Sequence, residues 1–271
     1  MPYLDSPDGR LSYDVIDITA PWVESPQTIL FHHGVSTTSG IWSEWLPQLA
    51  DRYRIVRFDT RGFGRSAVPD PGFAWSMDGL VADALAVAAA AGAERFHCVG
   101  ESIGGTVAIA LAIRHPDRLL SLTVSNGAHQ GSAVQNVRGQ WDRRIADDGQ
   151  EAWANEMMAR RFFPGALSEE KFRWFEREHA TCSAHVTLGL ANLLLETDLT
   201  PGVGGIRMPV LLLSPDASPF IPPSVMCDLH ARLPDSELQV FAHSRHGLPL
   251  SHGRECGAAL RRFLDRRFGA G

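Results

Sequence analysis

The chain has 271 residues and a mass of 29.6 kDa, which fits one large α/β domain or a core with an inserted subdomain. Its formal net charge of −6 and scattered arginines exclude a basic surface for nucleic acid, and no apolar run reaches the ~18 residues of a membrane helix. The four cysteines are far apart, and the N-terminus carries no export signal. We therefore expect a cytoplasmic protein with reduced thiols and no nucleic-acid or membrane partner.

Short apolar runs alternate with helical patterns through the first half of the chain, as in βαβ units on a mainly parallel sheet. The predicted strands are 10–16, 28–32, 54–59, 96–100 and 121–125, and the predicted helices between them are 42–50, 77–91 and 102–114. Pro116 ends the last of these helices. This half of the chain is therefore predicted to have an α/β fold.

The pattern changes near Ala128, where polar and aromatic residues begin to recur at helical spacing without a strand-like run. Strand patterns resume with VLLLS after Pro209 and again at 237–241, and an amphipathic helix is predicted at 255–268. The predicted organisation is a core of residues 1–127 and 207–271 with a helical cap inserted at 128–206.

The segment Gly100-Glu101-Ser102-Ile103-Gly104 fits the pattern G-x-S-x-G and lies between a predicted strand and a predicted helix. The small residues suit a tight turn, because a side chain at Gly100 or Gly104 would collide with neighbouring backbone. Ser102 is either a nucleophile that projects from the sheet or a cap of the helix. The N–H of Ile103, at the helix N-terminus, can point at a developing oxyanion.

Three further segments carry glycines or polar side chains near the ends of predicted strands. His33-Gly34-Val35 follows one strand and offers the Val35 N–H as a second oxyanion donor. The segment DTRGFGRS, residues 59–66, lacks the G-K-[ST] ending of a phosphate loop, so we interpret it as a structural turn that shapes the cleft. Near the C-terminus, His246 follows a strand and precedes the last helix.

Taken in order, these motifs resemble the α/β-hydrolase superfamily, with HG after strand 3, D-x-R-G-x-G-x-S after strand 4, the serine turn after strand 5 and a late histidine. The length and the cap sequence look most like the 3-oxoadipate enol-lactonase group of carboxylic-ester hydrolases. The resemblance implies a mostly parallel eight-stranded α/β-hydrolase sheet, flanked by helices and carrying an inserted helical cap. It also implies a small ester, lactone or related acyl substrate, with no cofactor and no metal.

The resemblance also implies roles for individual residues. Ser102 would be the nucleophile and His246 its general base, while the N–H groups of Ile103 and Val35 would hold the oxyanion. His243 and His252 compete with His246, which we prefer because it lies just before G-L-P. A metal site formed by these three histidines would lack the H-E-x-x-H spacing.

The acidic member of the site departs from the family pattern. The family has G-x-x-D-x-x-x-P-P after strand 7, whereas residues 215–223 read PDASPFIPP and place Ser218 at the carboxylate position. Asp216, two positions earlier, is the predicted acid. One alternative is Asn126 at the end of strand 6, which can orient an imidazole without stabilising its charge. The other is a dyad with weakened or altered chemistry.

The candidates for substrate contact are His129, Trp141 and Arg161. His129 follows strand 6, and either Arg160 or Arg161 in the cap could hold a substrate carboxylate. Two other functions remain open on the same residues. One is hydrolysis of a carbon-carbon bond or an amide, and the other is a small-molecule receptor with slow turnover. The sequence does not decide between a monomer and a homodimer.

Overall fold

The structure is a computed structural model in which residues 2–269 are described. Its strands are β1 (Tyr3–Leu4), β2 (Leu11–Ile16), β3 (Thr28–His32), β4 (Arg54–Phe58), β5 (Phe96–Glu101), β6 (Leu119–Ser125), β7 (Val210–Pro215) and β8 (Ser236–Phe241). They form one sheet in the order β1-β2-β4-β3-β5-β6-β7-β8. Strand β2 runs antiparallel to β1 and β4, and the other neighbouring pairs are parallel. The predicted mostly parallel, eight-stranded sheet is confirmed.

The helices surround this sheet, and four of them, in the described part of the chain, lie between β6 and β7. They are α1 (Met77–Ala90), α2 (Ile103–Arg114), α3 (Trp141–Arg161), α4 (Glu169–Ala180), α5 (Ala184–Glu196), α6 (Thr200–Val203), α7 (Pro223–Arg232), α8 (Leu248–Ser251) and α9 (Gly253–Phe268). Within residues 2–269, none of them is long and apolar enough to cross a membrane.

The central strands are buried on both faces, which explains why they read as continuous apolar runs. Every residue of β3, β5 and β7 is buried. Two apolar clusters lie against the sheet, one including residues of α1, α2 and the cap and the other residues of α9 and the Trp42–Trp45 segment. The sheet is thereby fixed between two packed layers, and its strand ends are rigid platforms for side chains.

Two local predictions differ from the structure. The helix predicted at 42–50 is instead a pair of short 3-10 helices, Ser39–Trp42 and Leu46–Gln48, because Pro47 has no N–H to donate to a regular α-helix. Strand β1 is missed by sequence reasoning, since two residues are too few to show an alternating pattern.

The segment between β6 and β7 contains α3 to α6 and, in the part of the chain that is described, no strand beyond the isolated bridge between Gln130 and Asp198. Helix α3 is kinked at Gly149, whose φ of 85° is not helical. The helical character of this segment agrees with the predicted cap, and the limits 128 and 206 stay a prediction.

Candidate active site

The turn from β5 to α2 holds Ser102 in a strained conformation. Ser102 has φ 54° and ψ −123°, a region that residues with a side chain rarely adopt. A Cβ on Gly100 would lie 2.2 Å from the Gly104 carbonyl oxygen, and one on Gly104 would lie 2.3 Å from the His32 carbonyl oxygen. Only glycine fits at these two positions, so the G-x-S-x-G spacing is a requirement of packing.

Ser102 and His246 come together as expected. The Ser102 Oγ lies 3.1 Å from His246 Nε2, and both residues are buried, with exposed fractions of 6% and 3%. The Ser102 side chain makes no capping hydrogen bond to α2. Its hydroxyl is therefore free to share its proton with the imidazole, and the capping alternative is wrong.

The other ring nitrogen of His246 faces two neutral side chains. The Asn126 amide Nδ2 lies 2.7 Å from His246 Nδ1, and the Ser218 Oγ lies 3.2 Å from the same atom. Asn126 follows β6 with a left-handed φ of 47°, which asparagine tolerates better than most residues. The Ser218 hydroxyl also accepts a hydrogen bond from the Ile221 N–H at 3.2 Å.

The structure corrects the placement of Asp216. Its carboxylate accepts hydrogen bonds from the His243 N–H at 2.8 Å and the Ser244 N–H at 2.9 Å, so it closes the turn after β8. Burial alone would raise the pKa of Asp216, but these two N–H donors lower it. The side chain is exposed and makes no hydrogen bond to His246. The prediction relied on the closeness of Asp216 to position 218 in the sequence. The two side chains lie in different surroundings, and only that of Ser218 contacts His246.

The contact between Asn126 and His246 has a consequence for the proton on the ring. If the amide Nδ2 donates to Nδ1, the ring proton lies on Nε2 and the imidazole cannot accept from Ser102. Rotation of the Asn126 amide presents Oδ1, which would accept from Nδ1–H and leave the Nε2 lone pair towards Ser102. The Asn126 Oδ1 atom is buried and has no partner among the described residues. General-base chemistry needs the rotated amide.

A carboxylate lies beside the reacting pair on the Nε2 side. Glu101, the last residue of β5, places Oε1 at 3.8 Å from His246 Nε2. A Cβ on Gly34 would lie 2.1 Å from Glu101 Oε2, so the His-Gly pair leaves room for this side chain. Sequence reasoning missed Glu101. The available signal was a charged residue at the end of an otherwise apolar buried strand, where charges are rare without a partner.

Burial and one arginine control the ionisation of these groups. Burial, and next the nearby Arg161 guanidinium, hold the pKa of His246 well below its ordinary value of 6.5, so the imidazole is neutral at pH 7 and able to accept a proton. Burial raises the pKa of Glu101 to about 7, while Arg161 and the Gly34 N–H act in the opposite direction. Glu101 therefore changes charge close to neutral pH.

Arg161, the last residue of α3, connects the cap to both sides of the site. Its Nη2 donates to the Val35 carbonyl oxygen at 3.4 Å, and its own carbonyl oxygen accepts from the Gly247 N–H at 3.0 Å. Burial is the main cause that lowers the pKa of Arg161, and the Glu101 carboxylate opposes it. Helix α3 thus places a buried cation near Glu101 and His246.

A small cavity lies next to Ser102 and His246. It is lined by Val35, Ser102, Val134, Val137, Trp141, Arg161, Ala191, Leu194, Phe220, Ile221 and His246. The volume open to the centre of a water molecule is about 20 Å³. Room of this size suits one water. Trp141 and Arg161 line the cavity as expected.

His129 does not contribute to this cavity, contrary to expectation. Its ring is buried, and its Nε2 lies 2.9 Å from Asp228 Oδ2 on α7, so it ties the chain after β6 to that helix. The rival histidines also lie elsewhere: His243 stacks on Phe163 and His252 pairs with Ser251. Over residues 2–269, no group of His, Cys, Asp and Glu has the arrangement of a metal site.

The two predicted oxyanion donors, the N–H groups of Ile103 and Val35, lie on either side of Ser102. Ile103 is the first residue of α2, and Val35 lines the cavity beside Ser102. Neither backbone N–H donates a hydrogen bond to another residue in the described range. Both donors are therefore available to a ligand, and their catalytic role stays a prediction.

The fold and the paired Ser102 and His246 define a class of proteins, and comparison with known families gives the same class. The sequence profile of the family described as alpha/beta hydrolase fold matches residues 27–252. Since this range covers most of the chain, the protein belongs to the α/β-hydrolase fold family.

Curated relatives match over nearly their whole length. A protein of Caulobacter sp. (strain K31) is 30% identical over 248 residues, covering 88% of this chain and 91% of its own, and carries the provisional name carbamate hydrolase RutD. A protein of the same name from Escherichia coli O157:H7 (strain EC4115 / EHEC) is 30% identical over 254 residues, with coverage of 89% and 91%. These names support a hydrolase.

Solved structures agree in fold. A hydrolase from Pseudomonas aeruginosa PA01 has a TM-score of 0.85 at 25% identity, covering 97% of each chain. The enol-lactonase from Burkholderia xenovorans LB400 has a TM-score of 0.85 at 21% identity, covering 97% of this chain and 99% of its own. At that identity the second likeness shows the fold alone.

Proposed function

We propose that this protein is a serine hydrolase that cleaves a small ester or lactone through an acyl-enzyme. The observation that carries the proposal is the 3.1 Å contact between Ser102 Oγ and His246 Nε2 at the wall of a small cavity. A strained serine, a neutral imidazole and unused backbone donors are the parts that acyl transfer needs. Membership of a hydrolase family supports the same conclusion.

The proposed reaction has two halves. His246 Nε2 takes the Ser102 hydroxyl proton as Oγ attacks the carbonyl carbon, and the N–H groups of Ile103 and Val35 hold the oxyanion. The imidazolium then gives its proton to the leaving oxygen, and the acyl group remains on Oγ. Water, deprotonated by His246, attacks the acyl carbon and releases the carboxylic acid with Ser102 restored.

The cavity offers donors for substrate oxygens. Trp141 Nε1 and Arg161 Nε are buried nitrogens without a hydrogen-bond partner among residues 2–269, and both residues line the cavity. Buried donors of this kind favour a substrate that brings acceptor oxygens. We propose that Arg161 holds such an oxygen, including that of a substrate carboxylate.

A carbamate is a second candidate substrate. The relatives at 30% identity are named as carbamate hydrolases, and a carbamate carbonyl can undergo the same attack by Ser102 to give a carbamoyl-enzyme. The chemistry of the site is common to both substrates, so only the acyl group and the leaving group differ. A cytoplasmic location stays a prediction.

The decisive measurement is pre-steady-state hydrolysis of p-nitrophenyl acetate by the wild type and Ser102→Ala. We expect a burst of nitrophenol equal to the enzyme concentration in the wild type. In the variant the burst should be absent and kcat/KM should fall by roughly 10⁴-fold or more, because the nucleophile is gone. A burst that survives in Ser102→Ala would remove the proposal.

Two further outcomes separate the alternatives. With p-nitrophenyl N-methylcarbamate, sustained turnover after the burst favours a carbamate substrate, while a burst that stops favours an ester or lactone. If neither compound is turned over and each raises the melting temperature, the protein acts as a receptor.

A further inference from the structure

We propose that Glu101 is the carboxylate that stabilises the His246 imidazolium, acting from the Nε2 side of the ring in place of an acid at Nδ1. The inference rests on the Ser102 and His246 chemistry proposed above. It assigns Glu101 as a positioning residue, since it acts through His246.

The geometry puts a charge close to the base and keeps it there. Glu101 Oε1 lies 3.8 Å from His246 Nε2, and each side chain is 3% exposed. A Cβ on Gly34 would lie 2.1 Å from Glu101 Oε2, so the carboxylate packs against this glycine, and the Gly34 N–H donates to it. Glu101 is also adjacent in sequence to Ser102, so the turn that fixes the nucleophile fixes this carboxylate as well.

The Nδ1 side of the ring carries no charge that could perform this task. Its hydrogen-bond partners are the amide of Asn126 and the hydroxyl of Ser218, both neutral. Over residues 2–269, Glu101 is the acidic side chain recorded within 4.0 Å of the His246 ring. Among the described residues, Glu101 is therefore the nearby group that could stabilise a positive charge on the His246 ring.

The attraction between Glu101 and His246 arises only when the imidazole takes up a proton. His246 is neutral before the attack and becomes charged as it takes the Ser102 proton, so a carboxylate at 3.8 Å gains attraction as the transition state forms. An opposite charge at this range shifts an imidazole pKa by about 1 to 3 units. Arg161 opposes formation of the imidazolium, and an ionised Glu101 at 3.8 Å would act in the opposite direction.

The protonation of Glu101 then controls reactivity. The charged and titratable groups that face it are His246 and Arg161, and Arg161 also lies beside His179, whose pKa is held well below 6.5 mainly by burial. Because burial raises the pKa of Glu101 to about 7, the carboxylate is present above that pH and lost below it. Reactivity of Ser102 should rise as the pH passes upward through about 7.

The test is the rate of covalent labelling of Ser102 by an alkyl fluorophosphonate, measured from pH 5 to pH 10 in the full-length wild type and Glu101→Gln. In the wild type we expect the second-order rate constant to rise with an inflection near pH 7. In Glu101→Gln the inflection should disappear, and the rate constant above pH 8 should be lower by about 10- to 100-fold.

A matched control distinguishes charge at the site from loss of a buried acid in general. Asp83 is a buried carboxylate paired with Arg61 at 2.7 Å, away from Ser102, and burial likewise raises its pKa. Asp83→Asn should lower the melting temperature and leave the labelling inflection in place. If Asp83→Asn also abolishes the inflection, the role of Glu101 is overturned.

Ser218→Asp in the wild-type background keeps the test informative if Glu101→Gln folds poorly. Ser218→Asp places a carboxylate at the Nδ1 side, where the Ser218 Oγ lies 3.2 Å from the ring. It should restore labelling in Glu101→Gln, and in the wild-type background it should flatten the inflection near pH 7. Labelling of the wild type that is unchanged in Glu101→Gln overturns this inference alone, whereas a wild type that is never labelled overturns the proposed function itself.

Discussion

The two edges of the His246 ring lie in different surroundings. On the Nε2 side, the end of β5 and the turn after it supply a strained serine and a buried carboxyl group, Ser102 and Glu101. On the Nδ1 side, the ends of β6 and β7 supply an amide and a hydroxyl, Asn126 and Ser218. One edge therefore faces a carboxyl group, and the other faces two neutral side chains.

Under the proposals above, the two tasks usually given to one acid are divided between two residues. An acid behind a catalytic histidine selects the tautomer and also stabilises the imidazolium. Here the first task is open to Asn126, whose amide lies 2.7 Å from Nδ1, and the second is open to Glu101, which lies 3.8 Å from Nε2. We expect substitutions at the Nδ1 edge to cost less activity than the loss of Ser102.

Removal of the Asn126 amide should have the largest effect on this edge. Asn126→Gly deletes the side chain and tolerates the left-handed φ of 47°. We expect kcat/KM for p-nitrophenyl acetate to fall by about 10- to 100-fold, because the proton is no longer held on Nδ1 and the base loses its orientation.

A second left-handed asparagine provides the control. Asn136, with φ 56°, donates to the Pro219 carbonyl oxygen at 2.7 Å and does not line the cavity. Asn136→Gly should change the melting temperature without a comparable loss of kcat/KM. Equal losses in the two variants would show that the Asn126 effect is one of backbone freedom.

Ser218→Ala should have a smaller effect. The 3.2 Å contact of its hydroxyl with Nδ1 is secondary to that of Asn126, so we expect kcat/KM to fall by less than ~5-fold. The Ile221 N–H loses its acceptor, which should cost about 1 kcal/mol of unfolding free energy in a urea titration. A loss of activity greater than that of Asn126→Gly would reverse the order of the two partners.

Asp216→Asn should leave kcat/KM unchanged and reduce stability. The carboxylate that accepts from the His243 and Ser244 N–H groups is exposed, so the expected cost is about 1 kcal/mol, or ~2 °C in melting temperature. The pKa of Asp216 is lowered in the folded state, so its contribution is present above pH ~4 and lost as the pH falls further. A large loss of kcat with normal stability would instead support a catalytic role for Asp216.

Much of the fold could be predicted because periodicity reports burial. The runs that became β3, β5 and β7 are apolar on both faces, and strands buried on both sides leave no other pattern. Strand β1 and the 3-10 helices near Trp42 were not predicted, because they are too short to show a periodic pattern of apolar residues. The serine turn was predictable because Gly100 and Gly104 face backbone atoms at contact distance.

The partners of His246 were less accessible to sequence reasoning. Ser218 was recognised at the family's carboxylate position and does face Nδ1, but Asp216 was preferred because its carboxylate was close in sequence. Glu101 was passed over because the residue between Gly100 and Ser102 in the motif is variable in type. Its role depends on a distance to His246, a residue 145 positions later in the chain.

By itself, the sequence determined the α/β core, the serine turn, the late histidine and the helical segment between them, because local spacing dictates turns and burial. The tertiary structure decided which groups surround the imidazole. Asn126, Ser218, Glu101 and Arg161 converge on it from β6, β7, β5 and α3, and the desolvation that lowers the pKa of His246 exists only after these elements pack.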